Sequence, residues 1–158
     1  MNTGLRKEDI MTEEIRLKEG AMAEEIRVVE HYSASIANNV GEGARVLGAL
    51  RDAGVNLIAF WGYKHGARRA HLEFIPEDSA TFVAAAKNAK LKLKKSTALY
   101  IHGYDRPGAI ADILAKLARA HVSVVALQAV CGGGGGYGTV VFLPPTAIRK
   151  GAGVLSAA

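Results

Sequence analysis

Along residues 26–37 (IRVVEHYSASIA) apolar and polar side chains alternate. Ile26, Val28, Tyr32, Ala34 and Ile36 share one face, the pattern of a half-buried strand. After Asn38-Asn39 the period changes. Gly43, Val46, Leu47 and Leu50 recur at i, i+3, i+4 and i+7, which predicts a helix that Gly54 stops in the left-handed conformation. Residues 56–63 read as a strand, 64–67 as a hairpin turn, and 68–75 as the return strand with Leu72 and Phe74 inward. Asp78 is placed to cap a second helix bearing Phe82, Val83 and Ala86, and 90–95 (KLKLKK) alternates as a closing strand. The predicted order is βαββαβ.

The same order recurs 67 residues later. Setting Gly41 on Gly108 brings Leu47 onto Leu114, Leu50 onto Leu117, Ala53 onto Ala120, Val55 onto Val122 and Ala59 onto Ala126. Residues 99–103 predict a strand, and Ile110, Ile113, Leu114 and Leu117 the stripe of a helix. Segments 122–131 and 137–143 predict a strand pair across a glycine run, and 146–156 a short second helix, where the chain ends. The expected fold class is therefore α+β: two ferredoxin-like units with antiparallel sheets and helices on one face, the second lacking the last strand. The expected boundaries are 1–25, 26–97 and 98–158. The first segment reads as a tail or short helix in which MTEEIR is echoed by MAEEIR, and it receives no function.

Composition narrows the setting. The chain has 158 residues, 49% of them hydrophobic, enough for two small units that gain from fusion and from pairing into a homodimer. No apolar run spans a bilayer, and the single cysteine, Cys131, excludes an internal disulfide framework or a multi-cysteine zinc site; a cytoplasmic location is expected. Net charge is +5, unevenly spread: residues 1–30 carry five Lys/Arg against eight Asp/Glu, and residues 31–158 fifteen against seven. A basic body can attract nucleic acid or small anions. The lysines at 90, 92, 94 and 95 lie in one alternating segment without interleaved aromatics, so a solvated strand face is expected and nucleic acid is not.

The paired starts NNVGEGARVLGALRDAGVNLIAF (38–60) and DRPGAIADILAKLARAHVSVVAL (105–127) resemble tandem ACT domain proteins of the stand-alone class, over residues 28–157. The resemblance implies a non-catalytic sensor of a small molecule, mostly an amino acid. It places the ligand between the strand-one-to-helix-one loop and strand two of a neighbouring domain. By position the ligand-binding residues are then Asn38, Asn39, Val40, Gly41 and Glu42 in the first unit, and Asp105, Arg106, Pro107, Gly108 and Ala109 in the second. No catalytic residue, metal or cofactor is implied. Two departures stand out: Val40 replaces the proline, and His121 takes the place of the helix-stopping Gly54. The loop chemistry fits a zwitterion, with a helix N-terminus for the carboxylate and Asp105 or Asn38 for the ammonium group. The same residues also suit plain helix capping.

Other candidates rank lower. Gly133, Gly135 and Gly138 satisfy G-x-G-x-x-G only because they sit in a glycine run with no helix following, so a hairpin is expected. His71 and Glu73 share a strand face that is expected to be exposed. Cys131 is expected half-buried and inert, a Cys–His nucleophile with His102 requiring a contact the sequence does not establish. Of Phe60 and Trp61, one is expected in the core and the other at an interface. The alternatives to a sensor are an RNA-binding ferredoxin-like module, faintly echoed by GYGTVVFL (136–143), and a structural partner subunit of a metabolic enzyme.

Overall fold

The computed structural model describes residues 24–157, so the predicted tail lies outside the described residues except for Glu24 and Glu25. The elements are β1 (Glu25–Ala37), α1 (Glu42–Asp52), β2 (Leu57–His65), β3 (Arg69–Pro76), α2 (Ser79–Asn88), β4 (Leu93–Tyr104), α3 (Ala109–Arg119), β5 (Ala126–Gly133), β6 (Gly136–Phe142), a 3₁₀ turn (Pro145–Ala147) and α4 (Ile148–Ser156). The architecture is α+β with antiparallel sheets, as the hydrophobic periods predict. Two compact units emerge: residues 29–98, and residues 99–157 together with 24–28.

In the first unit the strands run in the order β2-β3-β1-β4. Cross-strand pairs Tyr32↔Phe74, Ala34↔Leu72 and Phe60↔Phe74 set the register, so that the alternating apolar residues meet on one face. Val46 and Leu50 of α1 and Phe82, Ala85 and Ala86 of α2 cover that face, and Phe74 and Phe82 are fully buried with ring centroids 5.1 Å apart. Each such ring contributes on the order of 2–3 kcal/mol through burial. Asp78 caps α2 as expected, its Oδ1 accepting the Thr81 N–H at 2.7 Å, and the Thr81 side chain first, then this backbone bond, hold the Asp78 carboxyl below its ordinary pKa.

The second unit has the strand order β1-β4-β6-β5. Leu99 and Ile101 of β4, Tyr137 and Val141 of β6, Ile113 and Leu117 of α3, and Leu155 of α4 form its core. Among the described residues no strand follows α4. The fourth strand position is filled from the other end of the sequence, by the first residues of β1, and Ile26 packs against this core. Residues 26–28 thus fold with the second unit although the alternation in 26–37 is unbroken. Val28, expected inward, is 55% exposed. Likewise 90–95 and 99–103 are not separate strands: β4 starts at Leu93 and runs through both.

The repeat holds at the level of single hydrogen bonds. Glu42 N–H donates to Asn39 O and Ala109 N–H to Arg106 O, both at 3.2 Å. Arg45 to Gly41 and Asp112 to Gly108 both measure 2.9 Å, and Gly54 to Arg51 and His121 to Ala118 again 2.9 Å. Gly41 and Gly108 both enter their helices in the left-handed conformation, at φ +87° and +86°. His121 adopts φ +54°, so the stop made by Gly54 is kept without a glycine. One pair of the stripe departs from expectation: Leu114 is 39% exposed, and only Val46, Leu50 and their counterparts Ile113 and Leu117 are buried, a narrower stripe than the period suggested.

Candidate functional site

The two strand-to-helix loops are built alike and charged differently. In the second unit the Asp105 N–H donates to Gly135 O at 2.8 Å, tying the loop to the β5–β6 hairpin, and in the first the Asn38 N–H donates to Arg68 O at 3.0 Å. Neither α1 nor α3 has a side-chain cap, so the capping role open to Asp105 and Asn38 is not taken up. The N–H groups that such caps ordinarily occupy in a helix's first turn remain open to another acceptor. The Asp105 carboxylate, with a smaller part from burial, pushes the Cys131 thiol's pKa above its ordinary value. Cys131 is exposed rather than half-buried, and its pairing with a carboxylate removes the thiolate character that a nucleophile needs. Asn38 Nδ2 donates to Ala67 O at 3.3 Å.

Arg106 reaches from the exposed loop toward the first turn of α3. Its guanidinium pairs with Asp112 in the first turn of α3 and donates to Pro107 O at 3.3 Å. The Asp112 carboxylate raises the Arg106 pKa. In the first unit Glu42 and Arg45 form the corresponding pair, with Nε–Oε2 at 3.0 Å and Nη2–Oε1 at 2.7 Å. The Arg45 guanidinium holds the Glu42 carboxyl below its ordinary pKa. Val40, Asn39, Pro107 and Gly108 are exposed, whereas Ala109 is 6% exposed and belongs to the second core, offering a ligand only its backbone.

Each unit carries an open groove near its loop. The groove of the second unit, about 530 Å³, is lined by Glu24, Tyr104, Arg106, Asp112, Lys116 and Arg119 among others. The groove of the first unit, about 480 Å³, is lined by Arg45, Arg69, Lys90, Lys92, Glu42 and the end of β1. Of the predicted ligand residues, Arg106 and Glu42 line these grooves and the others line neither. The sequence reading passed over Arg45, Arg69 and Glu24. A signal existed in the repeat itself, since position 45 is Arg and its counterpart 112 is Asp.

The sheet faces hold further corrections. Glu73, expected exposed, is buried with His31: His31 Nε2 lies 2.8 Å from Glu73 Oε2, and Nδ1 lies 2.7 Å from Ser96 Oγ. Trp61 stacks on His31 with centroids 5.7 Å apart, while Phe60 leans on Phe74 at 5.3 Å, so the two neighbours do face opposite ways. Tyr63 donates to Glu73 Oε1 at 3.1 Å, and burial followed by this bond raises its pKa. In the second unit Tyr137 is 2% exposed and donates to Glu24 Oε1 at 2.9 Å. Burial, reinforced by Glu24, pushes its pKa up. Its ring is therefore withdrawn from the base-stacking role that GYGTVVFL echoed. Gly133, Gly134 and Gly135 all have positive φ and form the hairpin turn between β5 and β6, not a phosphate loop. Among the described residues no cluster of three or more His, Cys, Asp or Glu is placed to hold a metal, and no helix is long and apolar enough to cross a membrane.

No protein-family model matches the sequence, and no curated protein matches it. Solved structures do match in fold. The chain is similar to protein BT0572 from Bacteroides thetaiotaomicron, at 22% identity and a TM-score of 0.73, over 82% of this chain and 88% of that one. It is similar to the regulatory subunit of aspartate kinase from Thermus thermophilus, at 13% identity and a TM-score of 0.56, over 82% and 93%. Aspartokinase alpha and beta subunits match at 12% identity and a TM-score of 0.59, over 84% and 94%. The fold is ACT-like.

Proposed function

We propose that this chain is a non-catalytic regulatory protein that binds an amino acid at its strand-to-helix loops and works as a homodimer in the cytoplasm. The observation that carries the reading is the pair of matched loops: two helices entered through a left-handed glycine, each with no side-chain cap. The ligand's carboxylate sits at such a helix start, where N–H groups and the helix dipole favour negative charge. Asp105 serves the ammonium group: it is exposed, and among the described residues no cation lies within ion-pair distance of it. Arg106 is neutralised by Asp112 and shapes the loop rather than binding the carboxylate. The similarity to a regulatory subunit of aspartate kinase supports a regulatory over a catalytic role.

Binding stabilises the folded chain in proportion to ligand occupancy. A thermal-shift screen against the proteinogenic amino acids at millimolar concentration tests the reading. Stabilisation by one or a few of them, reduced by Asp105→Ala and by Gly108→Val, is the expected result. A flat screen overturns it, and a shift insensitive to both substitutions moves the site away from the second loop.

A further inference from the structure

We propose that the groove of the first unit is a binding site for a small, multiply charged anion of the phosphate-ester class, held by Arg45, Arg69, Lys90 and Lys92. The four cations come from three separate parts of the fold: α1, the start of β3, and the connection between α2 and β4. Among the described residues Glu42 is the only carboxylate lining the groove, and both its oxygens are taken by Arg45. Among the described residues no carboxylate lies within ion-pair distance of Arg69, Lys90 or Lys92. Like charges gathered in one concavity repel each other, and a bound anion relieves that repulsion.

Neighbouring lysines show that the excess belongs to this groove and not to the segment. Lys95, three positions beyond Lys92, is tied to Glu30 and lies over the Tyr32 ring with Nζ 5.8 Å from its centroid. Lys90 and Lys92 precede the strand and face the groove instead. Lys90 also holds φ +59°, a left-handed position that glycine occupies without strain. The corresponding groove of the second unit, of similar size, offsets most of its charge internally: Arg106 pairs with Asp112, and Lys116 lies 3.9 Å from Glu24, which leaves Arg119 as its excess cation. A cationic groove is therefore not a requirement of the fold.

Size and donor type select the ligand class. About 480 Å³ exceeds what an inorganic ion fills and lies within the range of small-molecule sites. The Arg69 guanidinium and two ammonium groups, with the Nη1 edge of Arg45 that its pairing with Glu42 through Nε and Nη2 leaves over, suit the several oxygens of a phosphate or diphosphate carried on an organic body. This inference stands independently of the amino-acid reading, which concerns the helix starts.

Calorimetric titration of the full chain with ATP, pyrophosphate and citrate, at low and at physiological salt, tests it. Phosphate-bearing probes should bind, more weakly as salt rises. Arg69→Ala combined with Lys92→Ala should weaken ATP binding by roughly tenfold or more, as expected for lost charge-assisted bonds. Lys94→Ala should leave it unchanged. Lys90→Gly is the variant that keeps the fold: it should weaken binding several-fold while the melting temperature stays level or rises. Citrate binding as well as ATP would replace phosphate with any multiply charged anion and overturn the class. Absence of binding at millimolar ATP and pyrophosphate, equal loss in Lys94→Ala, or tighter binding of a single-stranded RNA through the same residues would overturn the proposal itself. Amino-acid stabilisation persisting in the Arg69/Lys92 variant separates its failure from that of the regulatory reading.

Discussion

Position 45 in the first unit and position 112 in the second occupy the same place in the first turn of a helix, with backbone bonds of the same 2.9 Å to a left-handed glycine. One is arginine and the other aspartate. Each is neutralised, but from a different direction: Glu42 answers Arg45 from within the helix, and Arg106 reaches Asp112 from the loop. The first helix start therefore carries an internal Glu42–Arg45 pair, while its groove holds an excess of cations. The second loop carries a carboxylate, Asp105, in a unit whose groove is mostly charge-paired. A duplicated backbone thus carries two different charge patterns, because backbone hydrogen bonds depend on glycine placement and apolar spacing, whereas the charge of each groove depends on exposed residues that the backbone leaves unconstrained.

The largest expected effect tests a feature that only the first unit has. Glu73→Ala leaves His31 buried beside a lost partner and should cost about 3–5 kcal/mol in chemical denaturation, while replacing both residues by leucine should cost much less. A single substitution no more costly than a surface change would remove the buried pair from the account. Next, Gly151 sets how closely α4 approaches the second sheet, since an added Cβ would meet Leu143 Cδ1 at 2.3 Å. Gly151→Val should destabilise by about 1–3 kcal/mol through overpacking. Gly153, with open space around it, should instead gain up to about 1 kcal/mol when replaced by alanine. The same sign for both would mean that α4 is seated differently.

The shared backbone makes a sharper demand. Gly41→Ala and Gly108→Ala should each cost about 1–2 kcal/mol, because each glycine holds a left-handed φ, and the two costs should agree closely. Clearly unequal costs would break the equivalence of the loops. The smallest effect is a pH dependence confined to the first unit. Hydrogen bonds from Lys95 first, then Ser79 and Tyr32, lower the Glu30 pKa from 4.5 to about 2. The folded state binds that proton less readily than the unfolded chain, so this contribution is present above pH 4.5 and lost as pH falls toward 2. Melts across that window should show the loss in the wild type and not in Glu30→Gln, relative to the remaining carboxylates.

Much of this was legible before any coordinates. The offset of 67 rests on Gly41, Gly108 and the apolar positions between 46 and 59, and the backbone bonds reproduce it. The Asp78 cap and the glycine hairpin also followed from local chemistry. Other features were not legible. The alternation of 26–37 is the same whether Ile26 serves the first core or the second, so nothing local announced that residues 24–28 complete the second unit. Glu73 reads as a surface residue because its burial depends on His31, forty-two positions earlier. Lys90 to Lys95 read as one stripe, yet the helix stop at Lys90 and the strand start at Leu93 divide it into groove and structural pairs.

By itself the sequence determined the class of fold, the duplication and the places where the chain must turn left-handed, because period and glycine placement act over a few residues. Only the tertiary structure decided which strand completes which sheet, which charges cancel and which converge. Those outcomes depend on residues far apart in the chain, and Coulomb interactions and burial respond to distance in space, not to separation in sequence.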